Sequence, residues 1–201
     1  MKEFVTIGYS YSELDAKAKE RVKDWYLDTP IRNDVFHEDV MLFLQESFPN
    51  SDLEVQYSLS YCQGDGLNIY GTLKKDDFLP VWQVSEATKN RMKKYLNRAN
   101  SGTFTFEYND RYAYSCKFID QKYIEEYVSD MVEDLQDNGV TRINTDTIRQ
   151  FYTDMLDYFD DLDDKLKKKG YDYIYNCSDE EVEDACEANE WYFTKEGRFI
   201  R

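Results

Sequence analysis

Residues 53–73 read LEVQYSLSYCQGDGLNIYGTL, and their period decides the fold. Leu53, Val55, Tyr57, Leu59 and Tyr61 alternate with Glu54, Gln56, Ser58 and Ser60, and the same alternation resumes in Leu67, Ile69, Gly71 and Leu73. A period of two places successive side chains on opposite faces of a strand. Gln63-Gly64-Asp65-Gly66 joins the two runs, and Gly and Asp tolerate the positive φ angles of a tight reversal. The stretch therefore predicts an antiparallel hairpin. A phosphate cradle would need glycine amides running into a helix N-terminus, whereas here Gly66 leads into a strand, Asp65 would repel the anion and no P-loop lysine follows.

Working outward, residues 2–9 (KEFVTIGY) have the β-branched and aromatic content of a strand. Ser12 can cap a helix with Leu14, Ala18, Val22 and Trp25 on one face, stopped by Pro30, and a second helix spans about Asp34 to Ser47. Beyond the hairpin, a helix from about Ser85 to Arg98 precedes TFTFEY and RYAYSCKF, a second hairpin turning at Asn109-Asp110. Ile124, Val128, Met131 and Leu135 form the inner stripe of one later helix. Ile148, Phe151, Met155, Phe159, Leu162 and Leu166 form that of a longer one, capped by Asn144 or Thr145 and ended by Gly170. A short helix from about Ser178 to Ala188 leads to a closing turn at Lys195-Glu196-Gly197. The expected class is α+β: an antiparallel sheet of four or five strands built from hairpins and packed with helices, with a mainly helical C-terminal part. Residues 1–119 and 120–201 form its two parts, separate or as one continuous domain.

The 201 residues carry 41 Asp and Glu against 25 Lys and Arg, a net charge of −16. The imbalance is local: residues 1–118 hold 18 acidic and 15 basic side chains, residues 119–201 hold 23 and 10. A surface of that sign repels nucleic acid and anionic lipid and attracts a basic partner. The sequence has no apolar run approaching the roughly 20 residues that span a bilayer, and MKEFVTIGYS lacks a signal peptide's apolar core, so a cytosolic protein is expected. Cys62, Cys116, Cys177 and Cys186 form no C-x-x-C pair and are expected to be buried free thiols, and His37 alone gives a metal site or proton relay little material. No cofactor or catalytic residue is predicted.

Two acidic runs are the candidate partner-binding site: Asp154, Asp157, Asp160, Asp161, Asp163 and Asp164, then Asp179, Glu180, Glu181, Glu183, Asp184 and Glu187. Six carboxylates over eleven helical residues amount to one per about 2.7 Å, near the one per about 1.7 Å of duplex DNA. Like charges at i, i+3 and i+4 destabilise a helix, so these runs do not serve helix stability. Acidic residues early in a helix favour its dipole, which accounts for part of the 179–184 group but not for Asp160 to Asp164; the runs suit either a solvated acidic face or imitation of a nucleic-acid backbone. Asp160-Asp161-Leu162-Asp163-Asp164 also matches D-D-x-x-D, the magnesium-diphosphate motif of prenyl-chain enzymes, loosely echoed at Glu133 to Asp137, which makes a metal-dependent enzyme an alternative. Lys89, Arg91, Lys93, Lys94 and Arg98 make the 85–98 helix locally basic, a solvated face or an internal partner for acid.

The helix start YSELDAKAKERVKDWY, at residues 11–26, and the S-x-S-x-x-Q-G-D-G pattern of Ser58 to Gly66 resemble a family of small proteins frequent in phages and prophages of Firmicutes. Some of its members are labelled antitoxin-like, and acidic phage proteins of this size include anti-CRISPR inhibitors. The resemblance implies a non-enzymatic viral protein acting in the host cytosol. Taken with the acidic runs, it leads to an inhibitor that blocks a host nucleic-acid-binding defence enzyme, a CRISPR effector first among them, without itself touching nucleic acid or membrane. The alternative from the same resemblance is a binding module of a toxin–antitoxin pair.

Overall fold

The computed structural model describes residues 7–29, 31–62, 64–100, 102–107 and 121–200. Their order is a short 3-10 turn at Tyr11–Glu13, α1 (Ala16–Leu27), α2 (Ile31–Ser47), β1 (Asp52–Ser58), β2 (Gly66–Lys74), α3 (Lys75–Phe78), α4 (Glu86–Leu96), β3 (Thr103–Phe106), α5 (Gln121–Asp137), α6 (Thr145–Tyr175), α7 (Asp179–Ala188), β4 (Tyr192–Phe193) and β5 (Phe199–Ile200). The class is α+β, as the sequence predicts. The chain divides into two compact units, Met1–Phe36 with Gly170–Arg201, and His37–Lys169, the divisions falling within α2 and α6. The first unit joins the two ends of the chain, whereas the charge shift near residue 119 follows composition alone.

In the His37–Lys169 unit, β1 and β2 pair antiparallel from Asp52↔Thr72 to Ser58↔Gly66. The hairpin stands, but its reversal is longer than a tight turn: residues 59–62, 64 and 65 lie outside the pairing, and Gln63 of the expected turn lies outside the described residues. The alternation also fails at its end, because Leu53, Val55 and Leu59 are buried while Tyr61 is 71% exposed. β2 pairs with β3 from Gly71↔Phe106 to Lys74↔Thr103, giving a sheet in the order β1-β2-β3. Three strands, not four or five, make this sheet among the described residues. The expected partner run RYAYSCKF, with Cys116, lies outside them, as do residues 2–6 of the expected opening strand.

The predicted stripes of α5 and α6 are all buried, and aromatic contacts bind them to the sheet. Phe106 lies 4.5 Å from Phe159 between ring centroids, Phe104 lies 5.0 Å from Tyr127, and Tyr127 stacks on Tyr152 at 5.6 Å. Asn144, not Thr145, caps α6, its Oδ1 accepting from Thr147 N at 3.0 Å. Asp77 is buried and accepts from Asn50 N, Asn50 Nδ2 and Ser51 Oγ at 2.7–2.8 Å, fixing α3 to the turn after α2.

In the other unit Tyr11, Leu14, Ala18, Val22, Tyr26, Val182, Cys186 and Phe193 form the core. Asp15 caps α1, its Oδ1 accepting from Ala18 N at 2.8 Å, in place of the expected Ser12. Ser10 instead donates from its N–H and its hydroxyl to Glu13 Oε2, closing the short 3-10 turn. Tyr9 bridges Phe193 antiparallel, and β4 pairs with β5 around the expected turn, where Gly197 has φ +78° and donates to Thr194 O at 2.8 Å. Trp25 stacks on Phe199 at 4.7 Å.

Gly170 does not end α6, which continues to Tyr175. Arg32 supplies the termination: its Nη2 donates to the carbonyls of Tyr173 and Asn176, the latter at 2.8 Å, and its Nη1 to Glu181 Oε1 at 2.6 Å. Carbonyls at a helix C-terminus carry partial negative charge and lack intrahelical donors, so a buried guanidinium satisfies both needs. The rings of Tyr26 and Tyr173 flank it at 4.8 and 4.6 Å.

Candidate functional site: the acidic helix edges

Burial sorts the predicted carboxylates into two groups. Asp154 accepts from Trp82 Nε1 at 2.7 Å, and Asp163, 5% exposed, accepts from the Ile69 amide of β2 at 3.1 Å. These two hold α6 onto its own unit. Asp160 is half-buried, while Asp157, Asp161 and Asp164 are exposed. On α7, Glu181 is the partner of Arg32, and Asp179 accepts from Tyr11 Oη at 2.8 Å and Lys23 Nζ at 2.5 Å. The Lys23 hydrogen bond, then that of Tyr11, holds the Asp179 carboxyl below its ordinary range. Burial, with Asp179 beside it, pushes the Tyr11 phenol up. Glu183 is half-buried, and Glu180, Asp184 and Glu187 are exposed.

What remains outward is regular. Asp157, Asp161 and Asp164 stand at i, i+4 and i+7, and Glu180, Asp184 and Glu187 repeat that spacing on α7. The sequence singles out no such edge on α5, yet Glu126, Asp130, Glu133 and Asp137 are exposed at i, i+4, i+7 and i+11. Their inward and lateral neighbours are engaged: Asp134 accepts from Asn100 N and Nδ2, both at 2.6 Å, and Glu125 pairs with Arg149 at 2.6 Å. Only the helical period, applied to Glu126 onward, could have found this edge.

At a rise of about 1.5 Å per residue, neighbouring carboxylates on these edges are about 5 Å apart along the axis. That is sparser than the raw composition implies and nearer the one charge per about 3.4 Å of a single DNA strand. Each edge projects carboxylates from a rigid helix whose opposite side is packed, so the charges cannot scatter as they would on a loop. Their chemistry is that of acceptors for Lys and Arg.

The D-D-x-x-D match separates in space. Asp163 turns onto β2 while Asp161 and Asp164 are exposed, and among the described residues no group of three His, Cys, Asp or Glu side chains is placed to hold a metal ion. His37 is exposed, its ring 6.2 Å from that of Tyr57. Of the expected buried thiols, Cys186 is buried, Cys177 half-buried and Cys62 exposed.

Asp65 organises the reversal around Ser58, Ser60 and Cys62. Its carboxylate accepts from Ser60 N at 2.6 Å, Cys62 N and Cys62 Sγ at 3.0 Å, and Ser58 Oγ at 3.1 Å. A carboxylate already saturated by its own loop is a structural acceptor. On α4, Arg91 donates to Thr147 Oγ1 at 3.2 Å and Lys89 to Pro80 O at 3.2 Å, so part of its basic character is internal.

One buried cation lies in the field of the α5 carboxylates. Lys75 is 4% exposed and donates from Nζ to Tyr152 Oη at 2.9 Å. Burial brings its amine down to about 8, against the opposing pull of Asp134 and Asp130. Among the described residues no helix is long and apolar enough to cross a membrane. The chain matches no protein-family model, no curated protein and no solved structure.

Proposed function

We infer that the protein is a non-enzymatic inhibitor that occupies a basic nucleic-acid-binding groove with its exposed carboxylate edges. The supporting observation is the repeated i, i+4, i+7 spacing of outward carboxylates on α5, α6 and α7, clear of the carboxylates that hold the fold. No hydrogen bond or ion pair engages these edge carboxylates among the described residues. The rows on α5 and α6 raise helix self-repulsion by a few tenths of a kcal/mol per pair and contribute nothing to packing, which favours a use outside the fold.

A row of fixed charges steers a basic partner at long range and competes with phosphates for the same Lys and Arg side chains. The resemblance of the Ser58–Gly66 motif to phage proteins sets this activity in a host cell under infection, with a CRISPR effector as the partner. The test is competition. The protein is titrated into a preformed complex of such an effector with labelled target DNA at low salt, and displacement is followed by anisotropy. Displacement by the wild type, and none by a variant carrying Asn at 157, 161 and 164 with Gln or Asn at 126, 130, 133 and 137, is the expected result. Equal displacement by both proteins, or by neither, contradicts it.

A further inference from the structure

We propose that the exposed face of α4, with Arg142 beside it, docks on the phosphate backbone of duplex DNA. This goes beyond the reading of the carboxylate edges and does not rest on it. Arg91, Lys94 and Arg98 are exposed at i, i+3 and i+7, the last just beyond the C-cap Asn97, and Asn90 and Asn97 are exposed alongside. Met92, Tyr95 and Leu96 are buried and fix the opposite side of the helix. Tyr95 Oη accepts from Asn144 N at 2.9 Å, which brings the segment carrying the exposed Arg142 against α4. The sequence holds no Asp or Glu from Ala87 to Phe106, and among the described residues no carboxylate pairs with Arg91, Lys94, Arg98 or Arg142.

The fold accounts for part of this charge and not for the rest. Lys93 and Lys94 stand in the last turn of α4, where cations favour the helix dipole, and Lys89 turns to Pro80 O and Glu86. Arg91 has no such explanation. Its Nη1 donates to Thr147 Oγ1 at 3.2 Å, in the first turn of the 31-residue α6, where a cation opposes the dipole. An anion laid across the face relieves that opposition. Arg, Lys and Asn side chains are the donors that hold nucleic-acid backbones, and Arg forks onto phosphate. The nearby rings, Trp82 and Tyr95, are buried, so the face lacks the stacking platform of a single-strand groove. An α-helix enters the B-form major groove, about 12 Å wide, whereas the A-form RNA groove is deep and narrow. From Arg91 to Arg98 the row runs about 10 Å, the length of about three phosphates of one DNA strand. The net charge of −16 disfavours nucleic acid for the molecule as a whole. At about 0.1 M salt, however, charges beyond about 10 Å are largely screened, and the local cations govern contact.

The probe is a short fluorescein-labelled duplex DNA, titrated with the full chain at about 0.1 M salt and above and followed by anisotropy. Four cations on four phosphates predict a slope of about −3.6 for the logarithm of affinity against that of salt concentration. Each single change, Arg91→Gln, Lys94→Gln or Arg98→Gln, should make the slope shallower by about one, and the three together should weaken binding about tenfold or more. Lys165→Gln with Lys168→Gln and Lys169→Gln removes the same charge from exposed positions of α6 and should leave binding close to wild type. The DNA duplex should bind more tightly than its single strand or the RNA duplex of the same sequence. No binding of the DNA duplex by the wild type overturns the proposal, as does equal weakening by the two triple variants or tighter binding of the single strand or the RNA. Sedimentation velocity addresses the other occupant: self-association that the α4 triple change abolishes would assign the face to a second copy and overturn the DNA contact. Circular dichroism of each variant identifies any loss due to unfolding. None of these outcomes bears on the carboxylate edges, whose neutralised variant leaves α4 unchanged.

Discussion

Arg32 and Glu181, far apart in sequence, meet at 2.6 Å with the arginine side chain 2% exposed, and the same guanidinium closes the end of α6. Removing one partner of a buried, hydrogen-bonded charge strands the others, at a cost of about 3–5 kcal/mol in the strongest cases. Glu181 retains some solvent contact, so Arg32→Ala should cost about 2–4 kcal/mol. Glu181→Gln, which keeps the carbonyl contacts of Arg32, should cost less. Urea unfolding followed by tryptophan fluorescence reports on this unit through Trp25 and Trp191; an unchanged midpoint for Arg32→Ala would contradict the latch.

Lys75 gives stability an alkaline slope. Its amine titrates near 8 in the fold against an ordinary 10.5, so between those values the unfolded chain binds more protons and stability rises with pH. The rise attributable to this group is about 3 kcal/mol at most. Tyr11 and Tyr152 work in the opposite sense, because burial raises both phenols; their contribution is present below about 10 and lost as pH rises further. Burial also raises the Cys177 and Cys186 thiols, which oppose the Lys75 slope around pH 9, so it is relative to Lys75→Met that the wild type should gain stability between about pH 8 and 10. Denaturation midpoints of the two proteins across this range check it, and parallel profiles would show that Lys75 does not titrate there.

Two glycines with positive φ should respond differently to a methyl group. At Gly197, φ +78°, a Cβ would meet the carbonyl oxygen of Ala18 at 2.4 Å, so Gly197→Ala combines backbone strain with a clash against α1. At Gly64, φ +104°, nothing lies within 4 Å, and only the backbone cost of about 1 kcal/mol applies. Thermal unfolding should show Gly197→Ala well below Gly64→Ala; the reverse order would mean that the β4–β5 turn does not rest on α1.

Cys62 is exposed yet should be a poor nucleophile. Its thiol donates to Asp65 at 3.0 Å, and that hydrogen bond, with the carboxylate's charge, raises its pKa above the ordinary thiol value. Reaction with a disulfide reagent at mildly alkaline pH should be slower than for free cysteine, and Asp65→Asn should accelerate it. A rate equal to free cysteine in the wild type would show that the Asp65 network does not hold in solution.

Periodicity carried much of this structure in the sequence. The six inner residues of α6 and the four of α5 announce themselves because an apolar face must repeat at helical spacing wherever it packs. What could not be read locally depended on distant partners. Gly170 looks like a helix end, but the end is set by Arg32 on α2. Asp154 and Asp163 look like their neighbours, but Trp82 and the Ile69 amide draw them inward. The α5 edge stayed hidden for the complementary reason: its helix is acidic all along, and only burial separates Glu126, Asp130, Glu133 and Asp137 from Asp134, which is engaged by Asn100. That Gly64, Asp65 and Gly66 belong to a reversal was legible from their strand flanks; the role of Asp65 as the acceptor that holds Ser58, Ser60 and Cys62 was not.

The salt dependence of partner binding tests the acidic edges most directly. Affinity for the basic effector should be measured across a series of salt concentrations with the wild type and with the variant neutralised at 126, 130, 133, 137, 157, 161 and 164. The wild type should lose affinity steeply as salt rises, with the logarithm of affinity falling linearly against that of salt concentration, and the variant should bind weakly with a shallow slope. A wild-type affinity that is flat across the series, or a variant that binds as tightly as the wild type, would contradict electrostatic occupation of a basic groove.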